Sequence, residues 1–230
     1  AGQTDRAIEA LQRMVQAMAP NVDDAIRLRL AESLVTARRF DEALKELDQL
    51  SPTMRDSVAP AILRADAAAG RGDSKLAMEL LDKAVTTFPN NAAVFLKRAQ
   101  AAIEQERNTA DILADLEQAL RLDPRLWQAH QLRAYVYDRA NRPGEVINEI
   151  RSILRINPEA NDMLGMGIRM LLEQDRDDEA VALAEDVSRR RPSSGTLQAD
   201  LGDLFESLRR PRLALGFYKN AATLDSRTPL

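Results

Sequence analysis

The 230-residue chain contains no cysteine and a single histidine, His130. Without thiols there is no disulfide, no thiolate metal site and no cysteine nucleophile. One imidazole also leaves most nucleophile–base pairs and transition-metal sites short of ligands. Aromatic residues make up only 4% of the sequence, so alanine and the aliphatic residues must form the core. No apolar run approaches the roughly 18–20 residues needed to cross a bilayer, and the opening AGQTDRAIEAL does not read as a signal peptide. Neither sign of charge prevails: 32 basic and 36 acidic residues are interspersed, for a net charge of −4. Nucleic acid, which calls for a basic face, is therefore not an expected partner. The composition describes a soluble chain that does not insert directly into a membrane. Absence of cysteine suits a reducing cytoplasm and an oxidising periplasm equally.

What the chain does have is a period. Pro89, Pro124, Pro158 and Pro192 are spaced by 35, 34 and 34 residues. Ala31, Ala65, Ala99, Ala134, Ile168 and Gly202 form a second column in the same phase, and Ala43, Ala77, Ile112, Val146, Ala180 and Ala214 a third. A fourth runs through Leu50, Ala84, Ala119, Ile153, Val187 and Ala221. Self-similarity at this period marks a repeat array, in which chain length measures the number of stacked units.

Each period reads as two amphipathic helices. In the stretch from Gly144 to Arg155, for example, Val146, Ile150, Ile153 and Leu154 trace one buried stripe. The recurring prolines close the second helices, since proline cannot continue a helix and forces the preceding residue out of the α region. Pro143 and Pro211 instead fall where second helices begin, a position that loses no hydrogen bond. The phase predicts a lone helix over Asp5–Met18 within a half unit at 1–21. Six helix pairs follow, at 24–52, 58–91, 92–126, 127–160, 161–194 and 195–228, all in one array spanning 1–230. The first pair ends early, at Pro52, and Ser226 replaces the proline of the last unit. Half a unit at the start and no polar capping helix at the end suggest a segment of a longer array, or ends covered by a partner.

In all these columns the chain resembles the tetratricopeptide repeat family. That resemblance implies an all-α fold, a right-handed α-α superhelix (α-solenoid) of stacked antiparallel helix pairs. It also implies a non-enzymatic protein–protein interaction scaffold that binds a peptide or protein segment in its concave groove. Small residues in the columns let crossing helices approach to roughly 8–10 Å, so Ile112, Val146 and Ile168 should widen their crossings.

First helices line the concave side of such arrays. Taking His130, Ala134 and Tyr137 as facing the partner helix leaves a groove stripe on each first helix. The candidate binding residues are Arg29, Glu32, Leu63, Asp66, Lys97, Gln100, Gln131, Tyr135, Met166 and Arg169, with Asp200, Asp203 and Glu206 making the last unit acidic. Family members that clamp a C-terminal carboxylate use clustered lysine, arginine and asparagine. Here those places hold Leu28, Glu32, Leu63, Ala93 and Lys97, so that clamp is missing and a mixed apolar and polar peptide fits better.

No catalytic, cofactor or metal site emerges. His130, four residues before Ala134, reads as a packing residue. The string Asp175-Arg-Asp-Asp-Glu179 lacks the glycine and terminal glutamate of a calcium loop, so its acids read as caps of the helix that follows. Gly70-Arg-Gly72 is a turn rather than a phosphate cradle, and Met163, Met166 and Met170 form a stripe more typical of a core. Arg189-Arg-Arg191 suits the negative end of a helix.

Two other readings stand beside the scaffold. A pentatricopeptide-like RNA reader shares the repeat length, but the acidic balance and recurrent proline oppose it. A scaffold segment of a larger bacterial polysaccharide-export or secretion protein is the other, and it leans the localisation towards the bacterial periplasm. Exposed array ends also make self-association an expectation.

Overall fold

The computed structural model describes residues 2–225, and among them finds helices and no strand. It divides into two compact units, Ala1–Pro124 and Arg125–Leu230.

The first unit opens with α1 (Gly2–Met18), which begins before the expected Asp5. Its apolar stripe of Ile8, Leu11 and Val15, spaced for one helix face, packs on Leu30, Leu34 and Ala43. Three antiparallel pairs follow. The first is α2 (Asp24–Thr36) with α3 (Phe40–Asp48); after a short helix α4 (Pro52–Arg55) come α5 (Val58–Gly70) with α6 (Ser74–Thr87), and α7 (Ala92–Glu104) with α8 (Thr109–Leu122). Asp23, Asp73, Asn91 and Asn108 cap α2, α6, α7 and α8 by accepting from backbone N–H groups at 2.8–3.0 Å. The sequence placed the end of the first pair at Pro52, but α3 stops at Asp48. Pro52 opens α4 instead, with the Ser51 hydroxyl accepting from Met54 N.

The second unit stacks three pairs: α9 (Trp127–Arg139) with α10 (Pro143–Ile156), α11 (Asn161–Leu172) with α12 (Asp177–Arg190), and α13 (Gly195–Ser207) with α14 (Pro211–Asp225). Its core runs from Ala134 to Phe217 and ends in a stacked Phe205–Phe217 pair with centroids 5.1 Å apart. Small residues decide the close approaches. The ring of Tyr218 lies where a Cβ on Gly202 would be, 2.5 Å from that position. At Ile168, which breaks the small column, the neighbouring Gly167 makes the approach: a Cβ there would sit 2.9 Å from Leu183 and 3.0 Å from Ile150. Pro89, Pro124, Pro158 and Pro192 each directly follow the residue ending a second helix, and those residues have left the helical region, with ψ between 57° and 93°. The missing proline at Ser226 lies outside the described residues.

A second periodic device, not visible as a composition column, turns each first helix into its partner. Arg38, Gly72 and Glu106 in the first unit, and Asn141, Asp175 and Arg209 in the second, all have φ between 51° and 85°. After each, the next N–H donates back to the carbonyl five residues earlier, as in Arg39 to Leu34 (2.8 Å) and Arg210 to Phe205 (2.8 Å). This left-handed helix terminus satisfies carbonyls that would otherwise be orphaned, and glycine is its usual occupant. Here five of the six positions are not glycine. Asp175 is thus a turn residue and no cap. Asp177, Asp178 and Glu179 lie inside the first turn of α12, where negative charge suits the helix dipole.

Candidate functional site

The expected groove residues lie on first helices. In the first unit, Arg29 and Glu32 on α2 form a loose pair at 3.4 Å. Leu63 on α5 is drawn partly into the core formed by Ala31, Leu47 and Leu50. Lys97 on α7 reaches back to Asp66 on α5, donating to both carboxylate oxygens at 3.0 and 3.1 Å, so the two helices are tied on this face. Gln100 stands one turn on, half-buried. Leu96, next to Lys97 on the same helix, is buried.

In the second unit, Gln131, Tyr135, Met166 and Arg169 are exposed on α9 and α11. Tyr135 is the main apolar surface, 46% exposed, and Arg139 lies over its ring at 5.9 Å. Met163 and Met170 pack against the core while Met166 stays outside, so the methionine stripe splits. The acidic end of the stripe is partly used internally. The Tyr218 hydroxyl from α14 lies 2.7 Å from both Asp203 and Glu206, and these carboxylates hold the phenol well above its ordinary pKa.

Behind the first helices lies a charged layer outside the small-residue columns. Arg64, Arg98 and Arg133 each directly precede a small-column alanine. Arg64 bonds Asp48 at 2.8 Å. Arg98 makes a two-pronged contact with Asp115 at 2.6 and 2.8 Å and a third with Asp82 at 3.0 Å. Arg133 bonds Glu149 at 2.7 Å, and Nδ1 of His130 lies 2.7 Å from the other oxygen of that carboxylate. His130 is therefore buried as a hydrogen-bonding group, beyond the packing role read from its position. Burial pushes the Glu149 carboxyl up, but hydrogen bonds from His130 and Arg133 outweigh it and hold the group below its usual range. On the surface nearby, hydrogen bonds from Arg176 and Arg151 bring Glu179 down to about 2.

Of the clefts between successive second helices, one in each unit includes an arginine of this column. In the first unit a cleft of about 470 Å³ between α6 and α8 is lined by Arg98 and Arg107 against Asp82, Asp111 and Asp115. In the second, a cleft of about 570 Å³ between α10 and α12 is lined by Arg133, Arg151, Arg155 and Arg190 against Glu149 and Asp186. Among the described residues no group of three or more histidine, cysteine or acidic side chains is placed to hold a metal. No helix there is long and apolar enough to cross a membrane.

Family models described as tetratricopeptide repeat match residues 1–67 and 62–126. Sperm-associated antigen 1 of Mus musculus is 33% identical over 92 residues, which are 40% of this chain and 10% of that protein, so the chain spans about a tenth of the curated relative's length. A tetratricopeptide repeat protein from Parabacteroides merdae superposes with a TM-score of 0.55 at 15% identity, over 97% of this chain and 87% of its own. YrrB, described as a tetratricopeptide repeat protein with an unusual peptide-binding site, superposes with a TM-score of 0.50 at 15% identity, over 82% of this chain and 93% of its own.

Proposed function

The chain belongs to the tetratricopeptide repeat family, and from that premise we propose that it is a non-enzymatic protein-interaction scaffold which binds a peptide or protein segment along its first-helix faces. The observation that carries this is Tyr135. A tyrosine nearly half exposed on a first helix, held by Arg139 and flanked by Gln131, is a preorganised apolar anchor with a polar tip, the type of residue enriched where interfaces concentrate their energy. Exposed Met166 and Arg169 on α11 add adaptable apolar and cationic contacts. In the first unit, the Lys97–Asp66 pair presents donor and acceptor capacity beside Gln100. This mixture suits a partner segment that alternates apolar and polar groups. That YrrB is described as having a peptide-binding site is in keeping with such a use of the fold. Single apolar residues exposed on the terminal helices, Met14 and Met18 on α1 and Leu215 on α14, support self-association of copies through these faces.

The test starts from a photo-crosslinking residue at Gln131 or Gln100, which identifies the partner and the segment captured. Affinity for that purified partner is then measured with Tyr135→Ala, and with Asp66→Asn/Lys97→Gln, which removes both charges together and leaves no lone ion. Tyr135→Ala should weaken binding by about tenfold or more with the helical spectrum unchanged. Unchanged affinity in both variants would sink the assignment to the first-helix face.

A further inference from the structure

We propose that the cleft between α10 and α12 is a second binding site, on the opposite helices from the first-helix face, and that it takes an acidic peptide segment through its aspartate or glutamate side chains. The inference rests on the partners of its four arginines. Arg151 is matched by Glu179 at 2.8 Å and Arg190 by Asp186 at 2.7 Å. Arg133 shares the carboxylate of Glu149 with His130, and its Nε is a buried donor without an acceptor among the described residues. Arg155 donates only to the neutral hydroxyl of Ser152, at 2.9 Å, and pairs with no carboxylate among the described residues. With Glu179 counted as the partner of Arg151, the four arginines face three carboxylates, Glu149, Glu179 and Asp186, and Arg155 is the cation left over, in a chain whose net charge is −4.

The chemistry of the lining selects the ligand. Guanidinium groups are planar forks that bind carboxylates in two-pronged fashion. Arg155 and Arg190 lie on the exposed rim and Arg133 lies deeper, so a side chain entering the cleft meets cations at both levels. Phosphates would satisfy the same forks, but no aromatic residue lines the cleft to stack a base, and single-stranded nucleic acid sites rely on such stacking. A peptide carboxylate is the better match. The equivalent cleft between α6 and α8 carries three aspartates against two arginines and repels the same ligand.

The experiment follows fluorescence anisotropy of a labelled octaglutamate peptide with the full chain at about 50 mM salt, where screening is weak. Octaglutamine and octauridylate serve as parallel probes. Octaglutamate should bind and octaglutamine should not. Arg155→Glu/Arg190→Glu should weaken octaglutamate by about tenfold or more, Arg155→Gln by about threefold, and Arg121→Glu on exposed α8 by less than about twofold. The rim arginines lie outside the core, and Arg155→Gln reads the site even if the double reversal disturbs α12. Absence of octaglutamate binding, an equal loss from Arg121→Glu, or octauridylate binding as tightly through the same arginines would each overturn the proposal.

Discussion

Two arginines one repeat apart, Arg98 and Arg133, occupy the same place in the fold and live in opposite electrostatic settings. Arg98 is held by two aspartates, one of them two-pronged, and opens onto a cleft with an acidic excess. Arg133 has one carboxylate, shared with a buried histidine, and opens onto a cleft with a basic excess. The scaffold columns fix where these side chains stand. The neighbours, free to vary because they lie off the columns, decide what each cleft can hold. Repetition of the fold therefore does not imply repetition of the surface.

The sharpest way to break this comparison is to remove the acid from each pair. Glu149→Ala strips Arg133 of its carboxylate and should cost about 3 kcal/mol, as for a buried pair that loses one partner. Asp115→Ala, at the equivalent repeat position, leaves Arg98 still paired with Asp82, and should cost about 1–2 kcal/mol. Urea unfolding of both variants checks the order, and equal costs would remove the distinction. A smaller effect concerns the turns, which the two units share. Gly72→Ala places a Cβ on a residue at φ 85° and should destabilise by about 1 kcal/mol, while Arg209→Gly, at φ 60°, should stabilise by up to about 1 kcal/mol. Thermal melts read both, and opposite signs in the two units are the expected outcome. The smallest effect is acid sensitivity. Glu179 is lowered from its ordinary 4.5 to about 2, so the stability it contributes is present above pH 4.5 and lost as the pH falls through that interval. Because the group is on the surface, screening keeps the contribution small. Glu179→Gln should flatten that part of the stability profile, and an unchanged slope would contradict the pairing with Arg151 and Arg176.

Much of the fold was legible because its repeating demands are steric, and steric demands leave residue columns. Pro143 and Pro211 open helices, Pro89 and its companions follow them, and Ala31, Ala65 and Ala99 are buried, because few residues fit those positions. The left-handed turns were illegible for the converse reason. Helix termini at Arg38, Glu106 and Arg209 accept the cost of a positive φ without glycine, so no composition signal marks them. The inserted helix α4 is hidden because Pro52 fits a terminator as well as a helix start, and only Ser51 just before it marks the start. On the candidate faces, exposure at Tyr135, Gln131 and Arg169 followed from phase alone. The Asp66–Lys97 link did not, since it depends on the spacing of neighbouring helices. The arginine column was readable in hindsight, one residue ahead of the alanines. Its partners were only partly so, because Asp115 and Glu149 stand one repeat apart while Asp82 lies in another phase.

The contrast between the two clefts is tested most directly by amide hydrogen exchange of the full chain with and without octaglutamate, comparing the α6–α8 and α10–α12 segments in one experiment. New protection confined to α10 and α12 is the expected result. Equal protection of α6 and α8, or protection of the first helices α9 and α11 alone, would contradict the claim that charge off the repeat columns assigns the anion to one cleft.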